Sequence, residues 1–163
     1  MSRSTFSLAA IVCLAAGFVV AAEPKADDTK LSKEEQRILD LTNEARAKEK
    51  LPPVKINPTL LKVARGYAAK MAREHEMKHD LDGQTPAQRI DKAGYDYRSV
   101  GENIGVAEKG ATPDDVFKGW MESKLHRENI LSPKFNEIGI GLTVDDKGET
   151  YYAQDFGKQR SKE

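Results

Sequence analysis

Cysteine is all but missing from this chain. Of its 163 residues only Cys13 is one, so no disulfide closes within the chain and stability must rest on a buried core. A surplus of either charge is missing too. Lys plus Arg and Asp plus Glu number 26 each, which leaves no basic excess to release counterions from a phosphate backbone and excludes nucleic acid as a partner. Long apolar runs are also absent: the stretch from Leu8 to Val20 falls short of the roughly 20 residues that a membrane-spanning helix needs. Histidine is scarce, and His75, His79 and His126 are the whole set.

What is present divides the chain into four parts. Arg3, the apolar stretch and the small residues Val20-Ala21-Ala22 have the form of an export signal cleaved after Ala22, assigned to residues 1–22. Val12 precedes Cys13 where a lipoprotein processing site wants a small residue, so lipidation is not expected. Residues 23–30 read as a polar, flexible lead-in, 31–157 as one folded domain and 158–163 as a polar tail. The processed chain of 163 − 22 = 141 residues is long enough to bury roughly two-thirds of its unfolded surface. It is expected in the periplasm, at the envelope or outside the cell, without a membrane span and as a monomer.

Within the domain, hydrophobic periodicity predicts four helices and a small sheet. Ser32-Lys33-Glu34-Glu35 is a capping box, and the helix it opens buries Ile38, Leu41 and Ala45 before Pro52-Pro53 stops it. Asn57-Pro58 starts a second, long helix with Leu60, Ala64, Tyr67, Ala68 and Met71 as its stripe. Thr85-Pro86 begins a short third helix closed by Gly94, and Thr112-Pro113 a fourth that buries Val116 and Trp120. Residues 99–107 suit a strand. Ile138, Ile140, Leu142 and Val144, then Thr150, Tyr152, Gln154 and Phe156, alternate on either side of Asp145-Asp146-Lys147-Gly148 and predict an antiparallel hairpin. Gly139 and Gly141 within it are expected to admit a closely packed helix.

The chemistry-bearing candidates are few. His79 is expected at the end of the second helix and His126 at the end of the fourth, where the negative end of the helix dipole favours a cation. That cation is either a bound metal or the protonated imidazole itself. Glu122 lies four residues before His126, so on a continuous helix it shares that face; its alternative is an exposed helix carboxylate. His75-Glu76-Met77-Lys78-His79 spells the His-Glu-x-x-His pattern of zinc proteases, which needs both histidines one helical turn apart and a third ligand from elsewhere. Ser123 has no activating sequence around it to make a nucleophile with His126. Asn103, Arg127 and Asn129 read as structural hydrogen-bonding residues.

Three segments together carry a family resemblance: His79 after the long helix, Gly101-Glu102-Asn103-Ile104, and Trp120 to Leu131 ending His126-Arg127-Glu128-Asn129-Ile130-Leu131. With Phe135 to Gly141 and Tyr152 to Gly157, they resemble the CAP superfamily (cysteine-rich secretory proteins, antigen 5, pathogenesis-related proteins) in its bacterial form. The resemblance implies an α+β fold, an α-β-α sandwich of about four helices around a small, mostly antiparallel sheet. It also implies a cleft lined by His79, His126 and Glu102 that takes zinc or another divalent cation. The second cleft glutamate of eukaryotic relatives falls at Ser123, with Glu122 one residue earlier. The function implied is an exported, non-catalytic binding or defence-type module whose ligand is a lipid, an envelope component or a protein. A metal-dependent hydrolase or protease with Glu102 as general base, and a lipid or sterol carrier, are the alternatives.

Overall fold

The computed structural model describes residues 29–161 apart from Asp82. The expected export signal, most of the expected lead-in and the end of the tail lie outside the described residues. Five helices and four strands follow in the order α1 (Lys33–Lys48), β1 (Lys55–Ile56), α2 (Pro58–Glu74), α3 (Pro86–Lys92), β2 (Tyr97–Ala107), α4 (Pro113–Glu122), α5 (Lys124–Ile130), β3 (Glu137–Val144) and β4 (Thr150–Gln159).

The helix starts follow from their caps. Ser32 and Glu35 form the expected capping box, and Thr85 with Gln88 and Thr112 with Asp115 form two more. Asn57 caps α2 by accepting from the amides of Thr59 and Leu60, with Pro58 at the first helical position. The helix ends depart from expectation in two places. α2 stops at Glu74, because His75 turns left-handed (φ 50°) and the amides of His75 and Glu76 bond back to Ala72 and Met71. His79 therefore lies on the loop beyond the helix. The predicted fourth helix is broken at Ser123, whose extended backbone (φ −84°, ψ 124°) both ends α4 and starts α5. This break makes five helices of the predicted four.

The sheet runs β1-β3-β4-β2, with β1 parallel to β3 and the other pairs antiparallel. The two-residue β1 carries no alternation, which is why periodicity does not find it. α2 covers one face of the sheet, and α1, α4 and α5 lie on the other. The side facing α2 is close-packed because β3 presents Gly139 and Gly141 to it. A Cβ on Gly139 would overlap the backbone of Leu60 and Leu61, and one on Gly141 the backbone of Ala64 and Arg65. On the opposite side Ile38, Trp120, Ile130, Ile138, Ile140 and Phe156 pack as one cluster. Arg46, fully buried, ties this layer together by donating to the carbonyls of Pro52, Ile130, Ser132 and Phe135. A buried guanidinium is tolerated there because four carbonyls replace its water.

The two kinds of glycine should respond oppositely to a methyl group. Gly141→Ala should reach or pass the upper end of the ~1–3 kcal/mol that overpacking costs, since helix backbone must move. Gly66→Ala, inside α2 with open space beside it, should gain about 0.5–1 kcal/mol. Urea unfolding of the two variants checks both signs.

Candidate functional site: a cleft at the edge of the sheet

β2 is an edge strand, and its two-residue period points Glu102 and Asn103 to opposite faces. Glu102 lies on the α2 side. Its side chain is 1% exposed, yet both oxygens are in use: Oε1 meets His79 Nδ1 at 2.7 Å and Oε2 accepts from Arg89 at 2.6 Å. Arg89, from α3, also donates to the carbonyls of His79 and Gln84 and stacks over the Tyr67 ring at 3.4 Å. Tyr67 in turn donates to the carbonyl of Lys78 and accepts from the amide of Leu81. The loop carrying His79 is thus fastened at both ends to α2 and α3, while its imidazole stays half exposed. In the tautomer that donates from Nδ1 to Glu102, Nε2 keeps a lone pair.

Asn103 works on the other face. Fully buried, it donates to the carbonyl of His126 and to Gln154, and it accepts from Asn129. Asn129 also donates to the carbonyl of Glu102. Gln154 passes the chain to Thr42, which donates to the carbonyl of Ile38. The links are buried or part-buried hydrogen bonds, and the network holds α5 against β2 and sets where His126 emerges. Burial, followed by the nearby His79 charge, holds the His126 imidazole below its ordinary range.

The two histidines converge on one cleft, floored by Ile104 and walled by Met77, Thr85 and Pro86. From His126 an apolar groove of about 390 Å³ continues between β2 and α4, past Ile104, Val116, Trp120 and Ser123. The Trp120 indole lies against Gly105 and donates to the carbonyl of Ile104.

Residues 39–156 match the model of the cysteine-rich secretory protein family (CAP). The chain belongs to the CAP family. YkwD of Bacillus subtilis, an uncharacterized protein, is 36% identical over 125 residues, which cover 76% of this chain and 47% of YkwD; the chain thus spans about half of that relative. Among solved structures, an outer surface protein of Borrelia burgdorferi is 29% identical, with a TM-score of 0.71 over 78% of this chain and 95% of its own. An extracellular SCP-domain protein of Bacillus anthracis is 30% identical, with a TM-score of 0.65 over 77% of this chain and 40% of its own. The fold is also that of NaASP2, solved with Zn²⁺, at 13% identity and TM-score 0.57 over 83% of this chain and 84% of its own.

In this CAP domain Glu122 is not brought to the cleft. The break at Ser123 takes it off the face of His126, and it stands 70% exposed beside Lys118. Ser123 instead lines the groove. The His-Glu-x-x-His segment does not form one helical turn either, because the helix ends at its first histidine. His75 Nδ1 meets Asp145 at 2.9 Å and its Nε2 lies 3.5 Å from Asp146, both in the β3–β4 turn. Burial works to raise Asp145, but the hydrogen bonds from His75 and the amides of Glu149 and Lys147 outweigh it and hold the carboxyl below its usual range. His75, Asp145 and Asp146 are also the described residues whose three ligand atoms lie within 4.8 Å of one another. No sequence spacing joins His75 to Asp145, so only the fold could reveal that cluster.

Two outcomes follow from the cleft geometry. Asn103→Ala leaves Gln154, Asn129 and a buried carbonyl short of partners, and should cost about 2–3 kcal/mol in chemical denaturation. In an NMR titration, His126 should titrate below the ordinary ~6.5, and His79→Ala should move its midpoint upward. The sign for stability follows: the unfolded chain binds this proton first, so the contribution of neutral His126 is lost as pH falls below the unfolded value.

Proposed function

We propose that the chain is an exported binding module whose cleft takes a divalent cation between His79 and His126. One observation carries the reading: Glu102 engages His79 at Nδ1 and so directs the Nε2 lone pair outward, the carboxylate–histidine arrangement that metal-ligating imidazoles use. His126, held toward its neutral form, suits the same role, since a protonated ring cannot ligate. Zn²⁺ fits two imidazoles best, and a cation held by two would keep open positions for a ligand. Glu102 orients His79 and is not itself a ligand, because its side chain is buried behind His79 with its oxygens turned to His79 and Arg89. The extracellular and outer-surface descriptions of the two bacterial structures support export of this chain too.

The groove beside His126 favours a second element of the reading. Its apolar walls suit an acyl or sterol-like ligand running from the cation between β2 and α4. A hydrolase is less well supported, since catalytic zinc usually has three protein ligands.

Zinc titration by calorimetry near neutral pH on the parent, His75→Ala, His79→Ala and His126→Ala tests the cation reading. The expected result is loss of at least tenfold in affinity for His79→Ala and His126→Ala, with His75→Ala unchanged. Affinity should also fall as pH drops below about 6.5, where imidazole takes up protons. Loss confined to His75→Ala would move the cation to the β3–β4 turn and overturn the reading, as would a parent that binds none.

A further inference from the structure

Asp155 is the carboxyl group that the cleft does not explain. It sits in the middle of β4, fully buried, directly opposite Glu102 in the register of β2 with β4. Residues opposite one another share a face, so both carboxyls point toward α2. On its other side the register partner is Gly139 of β3, which brings no side chain. Above lies the backbone of α2 around Leu60 and Leu61, which Gly139 itself approaches. These residues are in the first turn of α2, where the Leu60 amide donates to the Asn57 side chain and the Leu61 amide to the Asn57 carbonyl, so neither is spare. Consistently, both oxygens of Asp155 are buried without a hydrogen-bond partner among the described residues. The carboxyl that the register sets opposite it is Glu102.

Two ionised carboxyls side by side in that interior would leave one charge without a partner, because Arg89 supplies the guanidinium at the site and it bonds Glu102. One proton shared between them removes the difficulty. Glu102 already accepts from Arg89 and meets His79 Nδ1, and each carboxylate oxygen has a second lone pair to give. Asp155 has no such donors.

We infer that Asp155 is held as a neutral carboxylic acid whose O–H donates to Glu102, making it the positioning residue that fixes the carboxylate behind His79. The shared proton leaves the pair with a single negative charge, which Arg89 balances. Glu102 is then gripped from three elements: α3 through Arg89, the loop after α2 through His79, and β4 through Asp155. Burial, then the Glu102 charge, push the Asp155 carboxyl well above the usual carboxylate range, against the opposing pull of Arg89. The inference rests on Glu102 orienting His79 and holds whether or not the two histidines bind a cation.

The test is carboxyl ¹³C NMR of the metal-free protein, titrated from acid to mild alkali, with the Asp155 signal assigned through its own Cβ. The expected result is a signal that keeps the protonated shift through neutral pH, while the exposed aspartates titrate near ~4. A second reading comes from Asp155→Asn, which keeps a donor toward Glu102. A carboxyl raised in the folded state makes the parent less stable as pH rises above the unfolded value, by up to about tenfold per pH unit in the unfolding constant. The variant should lack that component, so the parent-to-variant stability difference should vary with pH. An Asp155 signal that titrates near ~4, or a stability difference flat in pH, would overturn the inference. Neither readout involves zinc, so a failed zinc titration leaves it standing, and its own failure leaves the cation reading untouched.

Discussion

The cleft depends on the two-residue period of one edge strand. In β2, consecutive residues Glu102 and Asn103 project to opposite faces of the sheet. One face is packed by α2 with α3, and the other by α4 with α5. Glu102 therefore gathers His79 and Arg89 from the first layer, while Asn103 anchors the segment that carries His126 in the second. A register slip of one residue would exchange the two sides and dismantle both arrangements at once. β2 is pinned against such a slip by ten register pairs to β4, and by the Asn103–Gln154 side-chain hydrogen bond across them.

The polar groups that hold this arrangement are unusually deep for a chain without disulfides. Arg46, Asn103, Gln154 and Asp155 are each fully buried. In three of them every side-chain nitrogen and oxygen has a hydrogen-bond partner, and their directionality specifies one packing where apolar contacts alone would accept several. The apolar core provides the bulk of the stabilisation, and the polar contacts decide how the layers meet. Gly139 and Gly141 set the distance of α2 from the sheet, and Arg46 joins the end of α1 to the segment between α5 and β3.

Much of this is legible in the sequence, and what is not has physical causes. The Ser32–Glu35 cap, the stripe of α2, the β3–β4 alternation and the close approach at the two glycines are all local patterns, so the chain displays them openly. The segment Gly101 to Ile104 marks the strand that carries the cleft carboxylate. Two helix ends escape a reading of the sequence because neither carries a local signal. His75 adopts a left-handed backbone usually left to glycine or asparagine, and it does so facing Asp145, seventy positions away. Ser123 interrupts a run that would otherwise read as one helix, and that interruption takes Glu122 away from His126. β1 is too short to alternate. Asp155 reads as one more polar position in a strand, and only the register with β2 sets it against Glu102.

The engagement of Glu102 bears on what kind of cation site the cleft can be. A structural zinc site is closed by four protein donors, and the fold then depends on the ion. Here Glu102 is buried, with its oxygens turned to His79 and Arg89, so it does not face the cleft as a donor. The cleft offers two imidazoles, with the Asp80 carboxylate also on its lining, and the layers that carry them are held by hydrogen bonds and packing. A cation there would be a dissociable ligand with open coordination positions, facing an apolar groove. Such a site suits a domain whose fold is settled before the cation arrives, and in which the ion and whatever lies in the groove can be exchanged without unfolding it.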